Sequence, residues 1–200
     1  MSDGGLMNTS NNILRDTIEL RAPIPTDGDA LHGLLAATSL LEGNTIQCSL
    51  LQCGHFAKTS VAACLHKELA GFVSAYCPPN EPDSLFVWQI VVAESVRGSG
   101  LAKKMLNWLI AQPSTESVVR LTTVVTLNHF ASMALFESFA RECGTLPAKN
   151  LLFKSTHNNI RQKSNTYLIR IEPLPNRPEK SIDYHLDDLR VNLRMLNKRR

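Results

Sequence analysis

Leu85-Phe86-Val87-Trp88-Gln89-Ile90-Val91-Val92, then Arg97-Gly98-Ser99-Gly100-Leu101-Ala102, then Lys103-Lys104-Met105-Leu106-Asn107-Trp108-Leu109-Ile110: this stretch decides the fold. Its first part is a continuous apolar run rich in β-branched and aromatic residues, which reads as a buried strand. Its last part repeats apolar residues at helical spacing. The turn between them carries two glycines. Glycine lets the backbone approach a ligand closely, and the free N–H groups of a first helical turn point at it, so a strand, such a turn and a helix together form an anion site. Gly-x-Gly alone is common in turns; in this context it points to a phosphate or pyrophosphate.

Working outward, Thr17 to Arg21 alternates like a first strand, and Thr26-Asp27-Gly28-Asp29 offers a capped, acidic start to a helix over Ala30 to Leu41. Gly43-Asn44 breaks it, and Thr45 to Cys53 forms a second, shorter helix. Phe56 to Leu65 and Leu69 to Tyr76 read as a hairpin around His66-Lys67-Glu68, and Cys77 to Asp83, with three prolines, as a loop. After the deciding stretch come a strand over Val118 to Thr126, a helix over Phe130 to Arg141, a short strand centred on Phe153 and a last strand over Thr166 to Ile171. Early helices, an antiparallel meander and a β-α-β-α-β run define a mixed α/β domain with its ligand crevice beside the central strands. Residues 1–16 read as a polar disordered leader and residues 17–172 as the domain. Pro173 to Pro178 reads as a linker. Ile182, Leu186, Leu189, Leu193 and Leu196 then form a narrow apolar stripe on a tail helix, which either docks on a partner or lies marginally on its own domain.

At 200 residues the chain is long enough for a full core, and 44% apolar composition is ordinary for a soluble protein. No apolar run approaches the ~20 residues that span a bilayer, which points away from a membrane. The net charge is +3, and residues 173–200 alone hold seven Lys/Arg against four Asp/Glu, so nothing points to nucleic acid. The five cysteines are scattered and contain no Cys-x-x-Cys, which argues for a reducing cytoplasm and against a disulfide framework or a metal site.

A second motif completes the first. Arg97-x-x-Gly100-x-Ala102 and Asn128-x-x-Ala131-x-x-x-Leu135-Phe136 resemble the two acetyl-CoA motifs of the GNAT superfamily of N-acetyltransferases, over roughly Thr17 to Ile171. Within it, Leu51-Gln52-Cys53-Gly54-His55-Phe56, Gly71-Phe72-Val73-Ser74-Ala75-Tyr76-x-Pro78-Pro79 and Pro82 to Val92 look like the L-2,4-diaminobutyrate acetyltransferases of ectoine biosynthesis.

The resemblance implies an acetyltransferase fold: a central, mostly antiparallel, twisted sheet flanked by helices, with splayed central strands. The amides of Gly98, Ser99, Gly100, Leu101 and Ala102 would bind the pyrophosphate of acetyl-CoA, and Arg97 and Lys103 would either add charge or stay exposed cations. The strand Trp88 to Val92 would be bulged and splayed from the next one. Ile90, Val91 and Val92 would hold the pantetheine arm as an added strand, with an N–H near Ile90 or Val91 polarising the thioester carbonyl. Asn128 would hold the pantetheine or cap the helix, and Phe136 lines the same site. Many members of the superfamily use a Glu on the central strand as base and a Tyr on the later helix as acid. Here Gln89 and Phe136 stand there, and neither exchanges protons; the diaminobutyrate enzymes share the Phe. Water or His55 would then move the protons, with proximity supplying most of the rate; a buried, hydrogen-bonded role is the other reading of His55.

The acceptor side departs from the family pattern. In Ser39 to Ser49 the acidic position remains as Glu42 and the Asn as Asn44, but Gln47 and Ser49 replace two tyrosines. His157 remains without the acidic residues that follow it in the family. Glu42, Asn44, Gln47, His157 and Trp88 are the candidate acceptor-binding residues, Trp88 against the acceptor's chain or ammonium or as a core aromatic. Three functions stay open: acetylation of diaminobutyrate at its side-chain nitrogen, acetylation of another amino acid, polyamine or biosynthetic amine, and a non-catalytic acyl-CoA-binding role. The resemblance also implies a homodimer.

Overall fold

A computed structural model of the protein describes residues 18–38, 45–154 and 164–175. The leader, the tail helix, Glu42, Asn44 and His157 lie outside these residues. Strands β1 (Glu19–Arg21), β2 (Val61–Leu65), β3 (Glu68–Tyr76) and β4 (Ser84–Val92) form an antiparallel meander. Strand β5 (Arg120–Thr126) joins β4 in parallel, β6 (Ala148–Phe153) forms the far edge, and β7 (Thr166–Ile171) lies between β5 and β6, antiparallel to both. The helices are α1 (Gly28–Ala37), α2 (Ile46–Gly54), α3 (Leu101–Ile110) and α4 (Phe130–Glu142). This is the mixed α/β architecture expected from the sequence.

Side-chain parity explains why the central strands read as unbroken apolar runs. In β2, Val61 and Ala63 enter one core cluster with Met105, Leu109 and Phe139, while Ala62 enters another with Leu31 and Leu35. Neighbouring residues face opposite sides of a sheet, so both faces are covered by helices and both must be apolar. Strand β4 keeps this rule only as far as Val87. Leu85 and Val87 face the α3 and α4 side; further on, Ile90 and Val92 face that side, and Val91 packs under α1. The parity inverts because the register steps from Ser74↔Gln89 to Ala75↔Val87, which leaves Trp88 as one extra residue, a β-bulge. Gly71 lets α3 sit close on β3: a Cβ there would lie 3.1 Å from the Met105 methyl and 3.2 Å from a Leu101 methyl.

The boundaries differ from the sequence expectation at instructive places. Phe56 to Ser60 is not strand; Ala57–Thr59 is a single 3₁₀ turn, because the Thr59 hydroxyl donates to the Phe56 and Ala75 carbonyls and draws the chain inward. The hairpin β2–β3 turns on His66 and Lys67, both at positive φ (52° and 70°), the handedness that matches strand twist. Helix α1 starts at Gly28, two residues early, and ends at Ala37. Asp27 does not cap it with its carboxylate, which instead forms a two-pronged bond with Arg21 of β1 (2.7 and 2.8 Å) and accepts from the Ile24 N–H. Leu174, placed in a linker by its prolines, is a core residue whose N–H donates to the Val119 carbonyl. Arg120 opens β5 fully buried, ion-paired to Asp83 at 2.8 Å and Glu172 at 2.9 Å. It ties the loop before β4 to the end of β7.

Candidate active site

Strands β4 and β5 pair only over Ser84 to Val87 and Arg120 to Thr123. At the fork the Thr123 hydroxyl donates to the Val87 carbonyl at 2.9 Å. Beyond it the bulge turns β4 away, and Val124 to Thr126 pair with β7 alone. A crevice of about 190 Å³ opens in the gap, lined by Trp88, Gln89 and Ile90 on one side and by Val125, Thr126, His129, Ser132 and Phe136 on the other. The buried Oε1 of Gln89 has no hydrogen-bond partner among the described residues. An orphaned acceptor beside a strand edge open on one side is a place for an added, peptide-like ligand.

A groove of about 620 Å³ continues from the crevice, sharing Ile90 and Ser132 with it, and reaches the glycine turn. There Gly98 (φ 77°) and Gly100 (φ 80°) both adopt the left-handed conformation, and Gly100 is the N-cap of α3. The N–H groups of the first turn, from Leu101 onward, have no capping side chain. A Cβ at Gly98 or Gly100 would meet nothing within 4 Å among the described residues. The Ser99 hydroxyl donates to the Val96 carbonyl (2.7 Å) and Arg97 Nε to the Val92 carbonyl (3.2 Å), which fix the turn on the end of β4. The groove fits a long ligand with an anionic middle and an amide-bearing arm, as in coenzyme A. Lys103 lines it, but its ammonium is ion-paired to Glu142 at 2.8 Å. That hydrogen bond, with another from Asn107, holds the Glu142 carboxyl below the usual carboxylate range.

A third cavity, about 350 Å³, lies beyond the bulge and shares Trp88 with the crevice. Its walls are Leu51, Phe56, Tyr76 and Trp88, with Cys48, Gln52 and Ser74 as the polar lining. Phe56, Tyr76, Phe86 and Trp88 form a continuous aromatic row, with ring centroids 5.6, 5.4 and 6.4 Å apart. Cys48 and Gln52 are four apart and share one face of α2. Gln52 is 5% exposed, and its Oε1 has no partner among the described residues. The Thr45 hydroxyl, 3.5 Å from the Cys48 sulfur, holds that thiol below its ordinary range, whereas burial pushes Cys53 up to about 12.

The structure therefore brings together Trp88, Ile90, Val91, Val92, Arg97, Gly98, Gly100, Leu101, Ala102, Lys103 and Phe136 along one continuous surface, with Ser99 in the turn. It does not bring Gln47, His55 or Asn128 there. Gln47 is exposed on the outer face of α2, because the helical period that turns Cys48 and Gln52 inward turns it outward. His55 is exposed at the C-cap of α2, not buried, and lines none of the three cavities. Asn128 is exposed, and the neighbouring His129, N-cap of α4, lines the crevice in its place. The missed residues are His129, Ser132, Cys48, Gln52, Phe56 and Tyr76. The i, i+4 spacing in α2 was the available signal for Cys48 and Gln52.

Residues 34–140 match the acetyltransferase (GNAT) family, and the chain belongs to that family. Among its relatives it is 39% identical over 156 residues to the L-2,4-diaminobutyric acid acetyltransferase of Methylotuvimicrobium alcaliphilum, covering 78% of this chain and 91% of the relative. It is 36% identical to the enzyme of that name from Vibrio cholerae, covering 76% and 87%. The fold is similar to that of the Paenibacillus lautus diaminobutyrate acetyltransferase, solved in complex with L-2,4-diaminobutyric acid and coenzyme A. The TM-score is 0.72 at 28% identity, with 82% of this chain and 99% of that one covered. The chain is an acetyl-CoA-dependent acetyltransferase.

Proposed function

We propose that the protein moves the acetyl group of acetyl-CoA to the side-chain (4-) amino group of L-2,4-diaminobutyrate, a step of ectoine biosynthesis. The observation that carries this reading is the row of three cavities meeting at Trp88 to Ile90: turn and groove for the donor, crevice for the thioester, aromatic cavity for the acceptor. The amides of Gly98 to Ala102 hold the pyrophosphate with the dipole of α3 behind them, and Arg97 adds charge at the rim. The open edge of β4 at Ile90, Val91 and Val92 hydrogen-bonds the pantetheine arm and directs an N–H at the thioester carbonyl. Trp88 separates donor from acceptor and packs against the acceptor's carbon chain. Glu42, Asn44 and His157, outside the described residues, are assigned to the acceptor on the family pattern alone.

Attack requires a neutral amine. A free aliphatic amine titrates near ~10, so deprotonating it at pH 7 costs about 4 kcal/mol in water. Leu51, Phe56 and Trp88 are 47%, 38% and 52% exposed in the ligand-free protein; covered by the acceptor, they disfavour the ammonium and reduce that cost. The protein acts as a homodimer in the cytoplasm.

A second reading keeps the chemistry and changes the acceptor. It is favoured by Gln47 and Ser49, which stand where the family pattern has two tyrosines that would grip a charged diamino acid. Thiol release from acetyl-CoA, measured with diaminobutyrate, ornithine, lysine and simple polyamines in parallel, tests both. Diaminobutyrate should give the highest kcat/KM. No turnover with it, beside turnover of another amine, would select the second reading.

A further inference from the structure

The crevice poses a proton problem that its expected groups do not solve. When the C–N bond forms and the C–S bond breaks, the sulfur leaves with the bonding electron pair, and the nitrogen must lose one proton. Gln89 and Phe136 line the crevice and exchange no protons; among the described residues that line it, His129 is the one imidazole, a side chain that can both give and take a proton. It is held at the start of α4, where its N–H donates to the Thr126 carbonyl at 3.0 Å and its carbonyl accepts from Met133 at 3.0 Å. The residue is exposed, so solvent can reprotonate it.

We propose that His129 is the general acid of the transfer. Its imidazolium donates a proton to the departing coenzyme A sulfur. The neutral ring then takes up, through water, the proton lost by the acetylated nitrogen, so one proton passes from N to S and none is left over. The inference rests on acetyl transfer in this crevice. Among the described residues no other charged group competes for the role. β4 and β5 present Gln89, Thr123 and Thr126 to the crevice. On α3, Lys103 lies in the adjoining groove, ion-paired to Glu142, and on α4 itself Glu137 is paired with Lys149.

The test compares the wild-type enzyme with His129→Asn, which retains hydrogen bonding but cannot titrate, and His129→Phe, which does neither. At neutral pH both variants should lose kcat by at least about a hundredfold, with the KM for acetyl-CoA within about twofold of wild type. In wild type, kcat should rise with pH as the acceptor deprotonates and fall as the imidazolium is lost; His129→Asn should keep the rise and lose the fall. A raised KM for acetyl-CoA with an unchanged pH profile would make His129 a coenzyme-binding group and overturn the proposal. A second measurement needs no acceptor: the thiol of bound coenzyme A, followed by its thiolate absorbance, should ionise at least about one pH unit lower in wild type than in His129→Asn. Equal titrations would refute the assignment even if no tested amine is acetylated, an outcome that would sink the acceptor reading separately.

Discussion

Gly100→Ala isolates what the glycine turn does. Gly100 has φ 80° and ψ 8°, a conformation that costs an L-residue about 1–2 kcal/mol. No atom of the described residues lies within 4 Å of the added Cβ, so the ligand-free protein suffers this strain and no clash. For a domain of this size the melting temperature should fall by about 2–8 °C. Coenzyme binding should suffer much more, because a methyl in the cradle holds the pyrophosphate off the turn amides. A hydrogen bond to a charged group contributes about 1.5–3 kcal/mol, so losing one weakens binding about tenfold to a little over a hundredfold. Isothermal titration with coenzyme A measures the loss. Acetyl-pantetheine, which lacks the pyrophosphate, is the control, and its KM should stay within about twofold of wild type. Unchanged coenzyme A affinity together with a lowered melting temperature would make the turn structural only and refute the reasoning.

Arg120→Met should destabilise the protein by about 3–5 kcal/mol, because it removes the buried guanidinium that pairs Asp83 and leaves Glu172 to Arg170 alone; urea denaturation showing a loss below about 1 kcal/mol would contradict this. Burial raises the Asp27 carboxyl, but hydrogen bonds from Arg21 and the Ile24 N–H outweigh it and hold the carboxyl below its ordinary 3.8. A carboxyl depressed by folding stabilises above its unfolded pKa and loses that contribution as pH falls through the folded value. Wild type should therefore lose stability below pH 3.8, while Asp27→Asn is weaker at pH 7 and has a flatter acid limb. Iodoacetamide should modify Cys48 well before Cys53, diaminobutyrate should slow that reaction, and modification should block acetylation. Mass spectrometry of the labelled peptides reads the order of reaction, and no protection by the amine would remove Cys48 from the acceptor cavity.

The strand, glycine turn and helix around Arg97 were legible because each obeys a local rule of periodicity or backbone sterics. The bulge at Trp88 was legible only through family resemblance. With both faces of β4 buried, Leu85 to Val92 is apolar at every parity, and an inserted residue leaves no mark in the pattern. The false strand at Phe56 arose from extending the apolar strand at Val61 back across Ala57 and Lys58, where the Thr59 and Ser60 hydroxyls instead bond to Ala75 and hold a turn. Arg120 went unremarked because a single cation in a β-branched strand reads as an exposed edge; its partners lie 37 and 52 residues away in sequence. Asn128 and His129 differ by one step at a helix start, and only the backbone placement of α4 decides which of them enters the crevice.

The central claim is that one amine nitrogen, presented past Trp88, takes the acetyl group. Nuclear magnetic resonance of the product formed from isotopically labelled acetyl-CoA and L-2,4-diaminobutyrate tests it most directly. The label should appear on the 4-nitrogen, with free coenzyme A released in equal amount. Coenzyme A bound but no label on any amine, or label on the 2-nitrogen, would contradict it.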